Sequence, residues 1–196
     1  MCKVITISRE YGAGGHSIGR RVAEELGIPF FDKDIIRETA KASGYDLAMI
    51  EGEDEEIETT NAILKAICSS VHFKDPQELI YEVQKAVMQK FALDGPCVIL
   101  GRCADIAMKE AGIDALNVFI HADQIHRASR ASELTGETNP NELRKMIIKK
   151  DKSRHHFYTH FASKHWGDSR NYTLSLDSGL LGYDTCVKLI VEAAKQ

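Results

Sequence analysis

A parallel α/β sheet is the fold class this chain predicts, and three observations predict it. Residues 5–27 (ITISREYGAGGHSIGRRVAEELG) run from a short β-branched stretch through a glycine-rich turn straight into an amphipathic segment. Residues 97–100 (CVIL) and 116–120 (LNVFI) are short, fully apolar runs, each followed by a helix-like segment. Strands apolar on both faces belong to a sheet covered by helices on both sides. The chain's 196 residues are 43% apolar, enough to bury one good core, so a single domain over residues 1–196 is expected.

Taken in order, residues 3–8 form the first strand and 17–26 a helix, with Gly27 placed to end it. Residues 29–32 read as a second strand and 33–43 as a helix closed by Gly44. Residues 46–93 carry the pattern of a helical pair: Ile57, Ile63, Leu64, Ile67 and Val71 before Pro76, then Leu79, Ile80, Val83, Val87 and Phe91 after it. The acidic block at 51–58 reads as a solvated turn and helix start. Residues 97–100 and 116–120 are the third and fourth strands, 172–176 the fifth, and 184–194 a terminal amphipathic helix. Between the last two strands the chain is polar, rich in charge and histidine, and too long for an ordinary connection, which predicts a mobile lid over 134–168.

Composition narrows the partners. A net charge of -4 argues against a general binder of nucleic-acid polymers, and 28% charged residues is ordinary. The start, MCKVITIS, lacks the basic flank and apolar core of a signal peptide, and no stretch approaches the roughly 18 apolar residues of a membrane span. A cytoplasmic protein without a membrane partner is expected. Cys2, Cys68, Cys97, Cys103 and Cys186 form no CxxC and suit reduced, mostly buried thiols. No surface stripe marks a homodimer, which stays open.

A glycine-rich turn backed by a helix N-terminus presents successive N–H groups to an anion, so residues 10–17 read as a phosphate cradle. Against the pattern G-x-x-x-x-G-K-[ST], the chain has Glu10 at the first glycine, Gly15 at the second, His16 at the lysine and Ser17 at the hydroxyl position. In an open parallel sheet ligands sit beyond the carboxyl ends of the strands. Arg9 and Gly12 to Ser17 stand there after the first strand, Asp32 after the second, Gly101 and Arg102 after the third, His121 and Asp123 after the fourth.

Phosphoryl transfer asks chiefly for charge stabilisation, a metal and alignment of donor and acceptor. Ser17 is placed to ligate Mg²⁺, a position that also suits a plain structural serine at a helix start. His16 is mostly neutral at pH 7 when unperturbed, and bound polyphosphate favours its imidazolium, so nucleotide affinity should fall as pH rises past about 7. Arg9, Arg20 and Arg102 are candidates for the missing lysine's charge; Arg20 reads equally as a surface residue. Asp32 suits two tasks, orienting or deprotonating an acceptor hydroxyl and capping the next helix. In the lid, Arg144, Lys149, Lys150, Asp151 and Arg154 recur at helical spacing, and Asp151 with Arg154 makes an i,i+3 pair that would pose the arginine. His155, His156, His160 and His165 have no third ligand at a convincing spacing, so no metal site is expected among them.

Four stretches carry a resemblance over nearly the whole chain: ISREYGAGG (7–15), FFDKDII (30–36), VILGRCAD (98–105) and KKDKSRHHFY (149–158). Together they resemble the cytidylate kinase-like family, within the nucleoside monophosphate kinase group of P-loop kinases. The resemblance implies a three-layer α/β P-loop kinase fold with a five-stranded parallel sheet, a helical acceptor-binding region at 45–93 and a lid at 134–168. It implies an ATP-dependent, Mg²⁺-assisted phosphotransferase acting on a nucleoside monophosphate, CMP or dCMP first. A kinase of another small acceptor, or a non-catalytic nucleotide or phosphate sensor, are the alternatives. By resemblance Arg9, Gly12, Ala13, Gly14, Gly15, His16 and Ser17 hold the ATP phosphates and Ser17 the metal. Asp32, Arg37, Arg102 and Asp151 bind the acceptor, and Arg154 meets the transferring phosphoryl group, with Arg102, Arg154, Asp32 and His16 as the catalytic set.

Overall fold

The chain passes through the centre of its own sheet first and fills the flanks later. The computed structural model describes residues 4–32 and 76–196. In chain order these form β1 (Val4–Arg9), α1 (Gly15–Leu26), β2 (Phe30–Phe31), α2 (Pro76–Asp94), β3 (Cys97–Leu100), α3 (Ala104–Glu110), β4 (Ala115–His121), α4 (Gln124–Thr135), α5 (Pro140–Ala162), a 3-10 turn (Ser169–Asn171), β5 (Leu174–Asp177), α6 (Ser178–Leu181) and α7 (Tyr183–Lys195). The five strands are parallel in the order β2-β3-β1-β4-β5. The α/β fold with a five-stranded parallel sheet is therefore as expected. The helix expected at 33–43, Arg37 within it, the acidic block and the first half of the helical pair lie outside the described residues; the second half is α2.

Alternation along β1 divides the core in two. Ile5 and Ile7 pack with Ile18 and Val22 of α1 and with Val187 and Ile190 of α7. Val4 points the other way, with Ile99 of β3, Met88 of α2 and Met108 of α3. Successive strand residues face opposite sides, so a sheet with both faces covered must be apolar at nearly every position. Each fully buried isoleucine contributes about 1.5–3 kcal/mol. Thr6 is the polar exception among the buried positions of β1, 3% exposed, and its Oγ1 donates to Oδ1 of Asn117 at 2.6 Å, its register partner on β4.

The segment expected to serve as a lid folds mostly as α5, one unbroken 23-residue helix. Asn139 starts it, its side chain accepting the Asn141 N–H, with Pro140 at the first helical position where no N–H is needed. Leu143 and Ile147 bury the first half against Ala131 of α4 and Tyr11 of the loop. Further along, Phe157, Tyr158 and Phe161 pack with Tyr81, Cys103 and Ile106. The helix is thus docked along its length. β5 begins later than the pattern suggests because Tyr172 follows the 3-10 turn and joins a ring cluster, 5.0 Å from Phe119 and 6.4 Å from Tyr158. Cys97, Cys103 and Cys186 are free and buried. Among the described residues no helix is long and apolar enough to cross a membrane.

Candidate functional site

The glycine-rich loop leaves the middle strand at Arg9 and enters α1 at Gly15. Gly12 and Gly14 sit at φ of +81° and +77°, where only glycine rests without penalty. Neither has room for a side chain: a Cβ on Gly12 would lie 2.5 Å from the Arg127 carbonyl oxygen, and one on Gly14 would enter the Tyr183 ring. Gly14 caps α1 without any side-chain bond. The first-turn N–H groups have no intrahelical acceptor, and with the helix dipole behind them they form the anion-binding end of α1.

Behind the loop stands Arg127, 7% exposed. Its Nε donates to the Tyr11 carbonyl at 2.8 Å, Nη1 lies 3.2 Å from Glu10 Oε2, and Nη2 pairs with Asp151 Oδ2. The other Asp151 oxygen accepts the Tyr11 N–H at 2.8 Å, and Glu10 Oε2 also accepts the Ala122 N–H at 3.3 Å. A guanidinium this buried is tolerated only when its charge and donors are met, and two carboxylates and a carbonyl meet them here. Ala13 is likewise turned inward: its N–H donates to the Glu10 carbonyl at 3.3 Å and its carbonyl accepts from Ser178 Oγ at 2.6 Å.

In front of the loop is a cleft of about 240 Å³, at the carboxyl ends of the central strands. Arg9, Gly12, Gly14, Gly15, His16, Ser17, Asp32, Arg130, Leu134 and Arg154 line it, with Glu10, Tyr11 and Leu100. His16 Nε2 lies 3.2 Å from Asp32 Oδ2, with the imidazole about half exposed and edge-on to Phe30 at 5.3 Å. The Arg9 stem crosses Gly15 and its guanidinium covers Gly101. Arg154 Nη1 donates to the Arg9 carbonyl at 3.0 Å, and its guanidinium carbon stands 5.7 Å from the centre of the Tyr11 ring. Arg130 Nη1 is 2.8 Å from Glu133 Oε2, and Nη2 donates to Ser17 Oγ at 3.4 Å.

Arg102 closes the β3 end in an unusual backbone. Its φ is +59° and that of Cys103 is +51°; left-handed non-glycine residues cost roughly 1–3 kcal/mol each and persist where their surroundings fix them. Burial pulls the Arg102 guanidinium down to about 10, with Asp32 opposing the shift and Arg154 adding to it. It is a cation at neutral pH, close enough to both to feel their charges.

The structure therefore gathers Arg9, Gly12, Gly14, Gly15, His16, Ser17, Asp32 and Arg154 around one cleft, with Arg102 outside its lining but within electrostatic reach of Asp32. Two expectations change. Ala13 does not line the cleft: it is buried, its N–H turned to the Glu10 carbonyl and its carbonyl to Ser178 of α6. Asp151, expected to contact substrate and pose Arg154, instead tethers the loop from behind through Tyr11 and Arg127. Arg20 is exposed, over the Phe30 ring at 5.7 Å, and is the surface residue of the two readings. Asp123 caps α4 by accepting the His126 N–H at 2.8 Å. Arg37 lies outside the described residues.

Arg127 and Arg130 were not anticipated. The available signal was HRASR just after the fourth strand: two arginines at i,i+3 on a helix that starts at the sheet's carboxyl edge. Among the described residues no group of three or more His, Cys, Asp or Glu could hold a metal. Ser17 offers a hydroxyl oxygen to the cleft, and one or two protein oxygens completed by phosphate and water are the donors that suit Mg²⁺.

Sheet order, loop and cation-lined cleft together define an α/β fold of the P-loop kinase class. The chain belongs to the cytidylate kinase-like family, whose profile matches residues 4–180. No curated protein sequence matches it. Among solved structures, a protein of Eubacterium ventriosum superposes with a TM-score of 0.74 at 24% identity, over 98% of each chain. A gluconokinase of Sinorhizobium meliloti gives 0.57 at 17% identity, over 99% of this chain and 94% of that one. A shikimate kinase of Bacteroides thetaiotaomicron gives 0.56 at 17% identity, over 98% of each. At these identities the likeness establishes the fold, and family and fold together support a nucleotide-dependent kinase.

Proposed function

We propose that the protein transfers the terminal phosphoryl group of ATP, with Mg²⁺, to a nucleoside monophosphate, CMP or dCMP first. The carrying observation is the convergence on one cleft of the α1 N-terminus, Arg9, Arg130 and Arg154, and of Asp32 at the edge beside Arg102. Transfer through a loose transition state asks the protein for position and charge, which is what these groups offer. In this reading the donor phosphates lie over the amides between Gly12 and Ser17. Arg130 supplies the permanent charge that His16 gives only when protonated. Asp32, paired with His16, orients the acceptor; Arg102 neutralises it, and Arg154 reaches the transferred group from α5. Mg²⁺, when bound through Ser17 and phosphate oxygens, supplies charge neutralisation. The cytoplasm is the compartment proposed.

The test is a transfer assay on the purified protein with MgATP and a panel of nucleoside monophosphates, sugar acids and hydroxy acids. Phosphorylated CMP or dCMP is the expected product. Transfer only to another acceptor replaces the nucleotide half of the reading, and tight ATP binding without transfer to anything reduces the protein to a nucleotide-binding sensor.

A further inference from the structure

Arg102 and Arg154 carry like charge and lie on different elements, and the charge of Arg154 works against that of Arg102. That repulsion works against the approach of the β3–α3 turn to α5. One bond ties the same two elements close by: Tyr158 Oη donates to Asp105 Oδ2 at 2.7 Å. Asp105 stands three residues after Arg102, in the first turn of α3, and is 8% exposed; Tyr158 stands one helical turn after Arg154 and is 3% exposed. The left-handed pair Arg102 and Cys103 connects Asp105 to the end of β3, so holding Asp105 also holds the turn that carries Arg102.

Nothing in phosphoryl transfer needs this buried carboxyl, which does not line the cleft. Burial raises both groups above their ordinary values, and the hydrogen bond between them opposes that rise only at the acid. A polar pair this deep must have a reason for its place, since an apolar pair of the same shape would pack without the desolvation penalty. Around it are rings: Tyr81 stacks on Phe161 at 4.1 Å, and Tyr172 lies 6.4 Å from Tyr158. The neighbouring anchor is Trp166, whose Nε1 donates to Ser8 Oγ at 3.1 Å, one residue before Arg9.

We infer that Tyr158 and Asp105 form a positioning brace that holds the turn carrying Arg102 at a set spacing from Arg154, which lines the cleft. The inference rests on the reading of that cleft as a phosphate site. Neither brace residue touches substrate; both act through the arginines. Tyr158→Phe removes the bond and leaves the buried carboxyl only its backbone donors, whereas Asp105→Asn keeps an oxygen for the tyrosine to donate to.

The experiment uses the full chain and inorganic tripolyphosphate as probe, titrated calorimetrically into wild type, Tyr158→Phe, Asp105→Asn, Arg154→Gln and the Tyr158→Phe/Arg154→Gln double variant. Tyr158→Phe is expected to weaken binding about tenfold and Asp105→Asn to stay within about twofold of wild type. The double variant is expected to lose less than the sum of the two single losses, because the spacing that Tyr158 sets has then lost one of its two members. Additive losses, or a Tyr158→Phe affinity equal to wild type, overturn the brace. Amide exchange supplies the readout that needs no ligand. Faster exchange at 101–105 and 151–158 in Tyr158→Phe, with a shift in emission of Trp166, the sole tryptophan, is expected, and unchanged exchange there also overturns the brace. A wild type that binds no tripolyphosphate sinks the phosphate-site reading instead, and the exchange result then decides the brace alone.

Discussion

The back and the front of the phosphate loop are built from opposite materials. At the back, Glu10, Tyr11 and Ala13 are held by the buried Arg127 of α4 and Ser178 of α6 and the half-buried Asp151 of α5, through ion pairs and hydrogen bonds. At the front, Ser17 and His16 meet Arg130 and Asp32 at 3.4 and 3.2 Å in half-open surroundings. Charge in a buried place is costly to leave unmatched, while charge near water is cheap to rearrange. The loop can therefore keep its shape while its front groups exchange one partner for another, as a phosphate site requires.

Breaking the back should give the largest effects. Arg127→Ala leaves two carboxylates without their cation and should cost about 3–5 kcal/mol of stability, read from urea midpoints; a loss under about 1 kcal/mol would mean that the buried pairs hold nothing. Gly12→Ala forces a left-handed alanine against the Arg127 carbonyl and should cost about 2 kcal/mol in the same measurement. Changes at the front should move binding and not stability. Arg130→Gln is expected to weaken ATP about tenfold, by calorimetry, with stability within about 0.5 kcal/mol of wild type. The smallest effect belongs to His16: as pH rises past about 7 its imidazolium is lost and ATP affinity should decline a few-fold, while His16→Lys should equal or exceed the wild-type affinity and remove the decline. Affinity flat from about pH 6 to 8.5 in the wild type would falsify a charged role for His16.

The same division governs what the sequence discloses. The β3 strand and the loop's glycines are legible because their signal is local: an apolar run, two residues that need positive φ, a helix directly behind. His16 and Ser17 follow from their offsets along that loop. The back is not legible, since Arg127 bonds Tyr11 across 116 residues and Asp151 across 24. No spacing rule joins such partners; only the placing of α4 and α5 on the sheet does. Asp151 invited a local reading because Arg154 is three residues away, and the tertiary partners took it. The start of β5 was hidden for a related reason, since the Tyr172 ring packs with Phe119 and Tyr158 instead of extending the strand.

Ser178 adds a last property to the loop's rear wall. Its fully buried hydroxyl reaches two carbonyl oxygens, Ala13 at 2.6 Å and His121 at 3.1 Å. A hydroxyl has a single proton, so it serves one oxygen at a time, and the nearer one, in the loop, has first claim. The second oxygen lies within reach of the same atom, so one hydroxyl of α6 stitches the phosphate loop to the end of β4, the strand beside the one that feeds the loop.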